Sequence, residues 1–215
     1  MDFLPQNIND YSEQHTTPES ELLRKLNRDT HVKILQPRML SGHLQGRYLA
    51  EVSYMMRPRR ILEIGTYTGY SALCLAEGLV DDGKIITIDV NEELETFTRG
   101  FFKESPYSDK IDYRIGDAAE IIPTLDEVFD LVFIDADKMN YSKYYHLVFD
   151  KVRKGGYILS DNVLWSGKVA NIEEGKKIDK DTRNLLDFNK MCHDDPRTEN
   201  ILLPLRDGIM ISRKL

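Results

Sequence analysis

Cysteine is nearly absent. The 215 residues contain two, Cys74 and Cys192, too few for a disulfide framework, so a reducing cytosol is the expected setting. Cys74 lies within Ser71-Ala-Leu-Cys-Leu-Ala76 and reads as a small buried apolar residue. Long apolar runs are missing too. Nothing approaches ~18 consecutive apolar residues, and Met1-Asp-Phe-Leu-Pro-Gln-Asn7 has no basic start leading into an apolar stretch. Neither a membrane span nor a signal peptide is expected. An excess of positive charge is also lacking, with 29 Lys and Arg against 36 Asp and Glu, a net charge of −7. Such a chain does not carry the electrostatic footprint of a protein that lives on nucleic-acid phosphates. The five histidines (His15, His31, His43, His146 and His193) show no metal-ligand spacing. What is present is ordinary for a soluble globular protein, 41% hydrophobic and 30% charged, at a length that fits one α/β domain.

The first 17 residues are polar and unpatterned, which suggests an arm or an oligomer contact. Thr17-Pro18-Glu19-Ser20-Glu21 reads as a helix start with Thr17 as cap, running to about Arg28. After a break at Pro37, Gly42 to Met56 reads as a second helix, ended by Arg57-Pro58. From Arg59 the pattern alternates. Apolar strands are expected at Arg60–Ile64, Lys84–Asp89, Ile111–Ile115, Asp130–Asp135 and Tyr157–Asp161, with helices near 70–79, 92–103, 118–125 and 140–152. Near-continuous apolar strands separated by helices predict a parallel sheet buried on both faces. A long segment, Trp165 to Lys180, precedes a helix over about 181–192. Two final strands, 200–205 and 209–212, flank Arg206-Asp207-Gly208, a hairpin signal. The expected fold is a single α/β domain, residues 1–215. It has a helical cap region at 1–57, an α/β core at 58–215, helices on both faces of the sheet and an antiparallel hairpin at its end.

Two of the apolar runs end in oxygen-bearing side chains: Leu131-Val-Phe-Ile-Asp135-Ala-Asp137-Lys138 and Tyr157-Ile-Leu-Ser-Asp161-Asn162. If the runs are neighbouring parallel strands, Asp135, Asp161 and Asn162 meet at one rim. Two carboxylates and an amide make a hard, all-oxygen set suited to Mg²⁺ rather than zinc. Lys138 stands three residues beyond the first of them, close enough to handle a proton. The plainer alternative is that strand-end aspartates cap the next helix. The first strand ends in Leu62-Glu63-Ile-Gly65-Thr-Tyr67-Thr-Gly69-Tyr70-Ser71. This is Gly-x-x-x-Gly and not the Gly-x-Gly-x-x-Gly that seats a pyrophosphate. Glu63 would repel a pyrophosphate and suits a cation such as a sulfonium amino acid. Asp89, at the end of the second strand, fits an acid that binds ribose hydroxyls.

These strings, with Asp135-Ala-Asp-Lys-Met-Asn-Tyr141, Ser160-Asp-Asn162 and Asp207-Gly208, resemble class I S-adenosylmethionine-dependent methyltransferases. More narrowly, they resemble the metal-dependent catechol and caffeoyl-CoA O-methyltransferases, over roughly residues 36–215. The resemblance implies a Rossmann-like sheet and a homodimer. It implies that Glu63, Gly65, Tyr67 and Ser71 contact the methionine part of the cofactor and Asp89 its ribose. Gly116-Asp117-Ala118 would lie along the adenine, and Met39 and Ser41 would belong to a segment covering the methyl donor, with His43 close by. Asp135 would serve both metal and cofactor, and Asp137 would bind cofactor or cap the helix near Asn140. Trp165 and the segment to Lys180 would wall the substrate, with Trp165 equally suited to packing.

The implied reaction is Mg²⁺-dependent transfer of a methyl group to a hydroxyl of a small catechol-like diphenol, with Lys138 as the base. Two alternatives stand beside it. One is methylation of a hydroxylated tRNA wobble uridine, with Lys168, Lys176, Lys177, Lys180 and Arg183 facing phosphates and Glu173, Glu174, Asp179 and Asp181 opposing them. The other is a cofactor-binding module without catalysis.

Overall fold

The computed structural model describes residues 5–172 and 177–215; Glu173, Glu174 and Lys176, weighed above, lie outside the described residues. The chain divides into two compact units, residues 7–118 and one built on residues 119–215. Seven strands form a mixed sheet, ordered β3-β2-β1 within the former and β4-β5-β7-β6 within the latter.

In residues 7–118, α1 (Gln6–Gln14), α2 (Glu21–Lys33) and α3 (Gly42–Met56) precede β1 (Arg60–Ile64), α4 (Tyr70–Ala76), β2 (Lys84–Asp89), α5 (Glu95–Glu104) and β3 (Ile111–Ile115). β1 pairs in parallel with β2, opposing Glu63 to Thr87, and β2 pairs in parallel with β3. The apolar runs Ile61-Leu62 and Ile85-Ile86 are buried, as expected for central strands with no solvent face. α3 and α4 approach closely because glycine lets them. A Cβ on Gly46 would stand 2.4 Å from the Tyr70 ring, and one on Gly78 2.2 Å from the Ser53 carbonyl carbon. The Ser53 hydroxyl donates to the Leu75 carbonyl across the same contact, at 2.6 Å.

α6 (Ala118–Ile121) leads into β4 (Phe129–Ile134), α7 (Tyr141–Phe149), β5 (Val152–Ser160), α8 (Lys180–Asp194), β6 (Thr198–Leu203) and β7 (Ile209–Lys214). β4 and β5 are parallel, while β7 runs antiparallel to both β5 and β6. The hairpin therefore forms where Asp207-Gly208 signals it, with Gly208 at φ 86°. Tyr141 of α7 and Phe188 of α8 pack edge to face, 5.3 Å between centroids. Cys74 and Cys192 are both buried and free. No helix among the described residues is long and apolar enough to cross a membrane.

Three expectations need correction. The polar start is not without structure: α1 forms there, though none of its residues is buried. Local bonds hold it, among them Ser12 Oγ to the Ile8 carbonyl and stacked Tyr11 and His15 rings, so no apolar stripe betrays it in the sequence. Thr17 is not the cap of α2. Ser20 is, its hydroxyl accepting the Leu23 N–H, and the helix continues to Lys33. Thr17 instead offers its carbonyl to His43 Nε2 at 2.7 Å. α4 stops at Ala76, short of the expected Leu79, because Glu77 and Gly78 turn the chain where Gly78 meets the α3 backbone.

Candidate active site

Within residues 7–118 the turn after β1 is built around two acids. Glu63 is fully buried, and its Oε2 accepts the Thr87 hydroxyl at 2.5 Å from the neighbouring strand. Thr87 in turn bonds the Thr66 hydroxyl at 2.5 Å. Asp89 takes the Tyr67 N–H on one oxygen (2.6 Å) and the Asn91 N–H on the other (2.8 Å). That carboxylate locks the turn, in which Gly65, Tyr67 and Gly69 all have positive φ. Tyr67 bears a side chain in this left-handed region, where few residues other than glycine sit comfortably. Its phenol donates to the Leu35 and Gln36 carbonyls at 3.1 and 3.2 Å. The glycine turn is thereby tied to the segment that carries Met39, which is exposed, and Ser41, which is buried. Ser71 is buried in the first turn of α4, and Ala118 is buried at the start of α6.

Within residues 119–215 a second group surrounds Lys138. Its ammonium, on a side chain only 10% exposed, lies 3.4 Å from Asp135 Oδ1. It also donates to Asn162 Oδ1 at 2.7 Å and to the Tyr141 hydroxyl at 2.5 Å. Tyr141 passes its own proton to the Asp161 carbonyl at 2.9 Å. Its phenol is held well above the ordinary value, first by burial and then by the charges of Asp135 and Asp161, so it remains a donor. Asp161 continues the β4–β5 ladder through its N–H to the Ile134 carbonyl (2.9 Å) and accepts the Asn162 N–H on Oδ1 (2.7 Å). Asn162 turns at φ 56°, presenting its amide oxygen to Lys138.

The strand ends thus gather Asp135, Asn162 and Lys138, with Asp161 beside them. Asp137 is fastened to its own helix, accepting from Asn140 Nδ2 and from the Tyr144 hydroxyl. No group of three or more His, Cys, Asp or Glu among the described residues could hold a metal ion. The set here is two carboxylates and an amide.

Beyond Asn162 the chain is braced by the hairpin. The Val163 and Leu164 N–H groups donate to the Gly208 and Asp207 carbonyls at 3.1 and 2.9 Å, and the Ser166 N–H to Asp207 Oδ1 at 2.5 Å. Burial pushes the Asp207 carboxyl above its ordinary value. Trp165 and Ser166 have positive φ, and Lys168 lies over the Trp165 ring. Lys168 is also paired with Asp179 at 3.1 Å.

Sequence reasoning missed Thr66, Thr87 and Tyr141. The signal for Thr87 was a lone hydroxyl within the apolar run Lys84-Ile-Ile-Thr-Ile-Asp89. Tyr141, three residues after Lys138, shared its helical face.

Comparison with known proteins gives these two groups a context. Residues 12–215 match the family described as O-methyltransferase. A caffeoyl-CoA O-methyltransferase of Mesembryanthemum crystallinum is 35% identical over 206 residues, covering 92% of this chain and 81% of that protein. The methyltransferase PaMTH1 of Podospora anserina, solved with S-adenosylhomocysteine bound, superposes with a TM-score of 0.90 at 28% identity, over 100% of this chain and 99% of its own. An O-methyltransferase from Bacillus cereus, also in complex with S-adenosylhomocysteine, gives a TM-score of 0.88 at 26% identity over 97% of each chain. The chain therefore belongs to the O-methyltransferase family, as a class I S-adenosylmethionine-dependent enzyme of the caffeoyl-CoA O-methyltransferase type.

Proposed function

We propose that the enzyme methylates one hydroxyl of a small catechol-like diphenol and that a hard divalent cation, Mg²⁺ or a close equivalent, takes part. One observation carries this reading: a cationic nitrogen, Lys138 Nζ, sits within reach of both Asp135 Oδ1 and Asn162 Oδ1. Oxygens that converge on one cation can serve another. With Asp161 they make the all-oxygen donor set that Mg²⁺ prefers, so the residues fit the ion. When bound there, the ion would stabilise the ionised form of a chelated diphenol, whose hydroxyl otherwise has a pKa of about 10.

The remaining chemistry falls to the chain. Glu63, Gly65, Tyr67, Ser71 and Asp89, with Met39, Ser41 and Ala118, are the candidates to bind the methyl donor, and the family resemblance adds Asp135 and Asp137. Lys138 is the candidate base, receiving the acceptor's proton at Nζ. Tyr141 and Asn162 fix that nitrogen in direction. Methyl transfer from a sulfonium needs little covalent help. Orientation and proximity supply up to roughly 7–11 kcal/mol of barrier reduction.

The test is transfer of labelled methyl groups to a panel of monophenols and diphenols, scored for position, with and without EDTA. Transfer confined to adjacent diphenols, lost with EDTA and in Asp161→Ala and restored by added Mg²⁺, supports the reading. Undiminished transfer in EDTA removes the metal, and methylation of monophenols at equal rates removes the catechol.

A further inference from the structure

Glu63 is a carboxylate with no exposed surface, and burying such a charge is costly unless hydrogen bonds compensate for lost water. Two threonines stand in line with it. Thr87, opposite Glu63 in the β1–β2 register, donates to Glu63 Oε2 at 2.5 Å, and Thr66 lies 2.5 Å from the Thr87 hydroxyl oxygen. Both threonines are buried. Each hydroxyl has one proton to give, and an ionised carboxylate only accepts. Once Thr87 spends its proton on Glu63, the bond between the threonines has one possible direction: Thr66 donates to Thr87. The row is therefore polarised towards the carboxylate, and hydrogen bonds in such a chain strengthen one another.

We propose that Thr87, with Thr66 behind it, is a positioning residue. The two hydroxyls hold Glu63 ionised and aimed in one direction, so that it selects the cationic amino group of the cofactor's amino-acid part. This rests on the reading of Glu63 as a cofactor-binding acid. Neither threonine need touch the cofactor. The pair makes the affinity of this site depend on the amino-acid portion more than on the adenosine portion. A structural role alone would make no such distinction between ligands.

The experiment compares calorimetric binding of S-adenosylhomocysteine with that of 5′-methylthioadenosine, which has the same nucleoside and thioether but no amino-acid part. Thr87→Val keeps the shape and removes the hydroxyl. It should weaken S-adenosylhomocysteine about 10-fold or more and leave methylthioadenosine within about twofold, while Thr87→Ser restores most of the loss. Thr66→Val should show the same selectivity at about threefold, and it carries the test if Thr87→Val does not fold. Equal weakening of both ligands, or none, overturns the proposal. Wild-type protein that fails to bind S-adenosylhomocysteine would remove the reading of Glu63 itself, a result distinct from any pattern among the variants.

Discussion

At the scale of single residues, Lys138 was readable and its support was not. The string Asp135-Ala-Asp-Lys138 suggests a candidate base beside a candidate oxygen ligand from spacing alone. What aims the candidate base is Tyr141, and its partner is a backbone carbonyl, that of Asp161, just past the end of β5. No sequence pattern encodes such a bond, because carbonyls are present at every residue. The geometry predicts that Lys138→Ala lowers kcat by about 100-fold or more, the usual scale for losing a positioned proton acceptor, with the Kd for S-adenosylhomocysteine changed less than about twofold. Tyr141→Phe keeps the packing against Phe188 and removes only the hydroxyl, so kcat should fall by about 10-fold with stability nearly unaltered. Steady-state kinetics beside calorimetric binding read both variants. Equal losses in kcat and cofactor affinity would make Lys138 a binding residue instead.

At the scale of elements, the strands were legible and the helix ends were not. β1 and β2 start and stop where the apolar runs do, since a strand buried on both faces advertises itself in every residue, and the edge strand β3 (Ile111–Ile115) follows its alternating pattern. Helices depend on caps and on what they meet. Ser20 outcompetes Thr17 as a cap, α1 buries nothing, and α4 ends where Gly78 presses on α3. The last is a contact between segments far apart in sequence, invisible to a local pattern. Gly78→Ala would drive a methyl group into the Ser53–Tyr54 backbone, which cannot yield as a side chain tip can. The expected cost is about 2–3 kcal/mol, at the upper end of overpacking effects. Gly100, in the middle of α5, meets nothing within 4 Å. Gly100→Ala should therefore stabilise by roughly 0.5–1 kcal/mol through helix propensity. Urea unfolding of the two variants decides the matter. A Gly78→Ala protein as stable as wild type would mean that α3 and α4 can separate at little cost.

At the scale of the whole molecule, composition pointed to one α/β domain, yet the acceptor stayed out of reach. The segment expected to wall the substrate, Trp165 to Lys180, shows no periodicity in the sequence, and shape, not pattern, selects a ligand. The division of labour is clearer. Most of the candidate cofactor residues lie in residues 7–118, whereas the candidate ion ligands and the base all lie in residues 119–215. Only Asp135 was expected to serve both; Asp137, expected to bind cofactor or cap a helix, is held by Asn140 and Tyr144. If the cofactor site is largely independent of the ion, S-adenosylhomocysteine at about 100 times its Kd should stabilise the protein by about 2.7 kcal/mol. For a chain of this size that is a rise of roughly 5–11 °C in Tm. EDTA should leave the rise intact while it stops turnover. Thermal unfolding with ligand and chelator in all four combinations measures it. A rise that shrinks by more than half in EDTA would mean that the ion helps to build the cofactor site, and Asp135 would be the residue through which it does so.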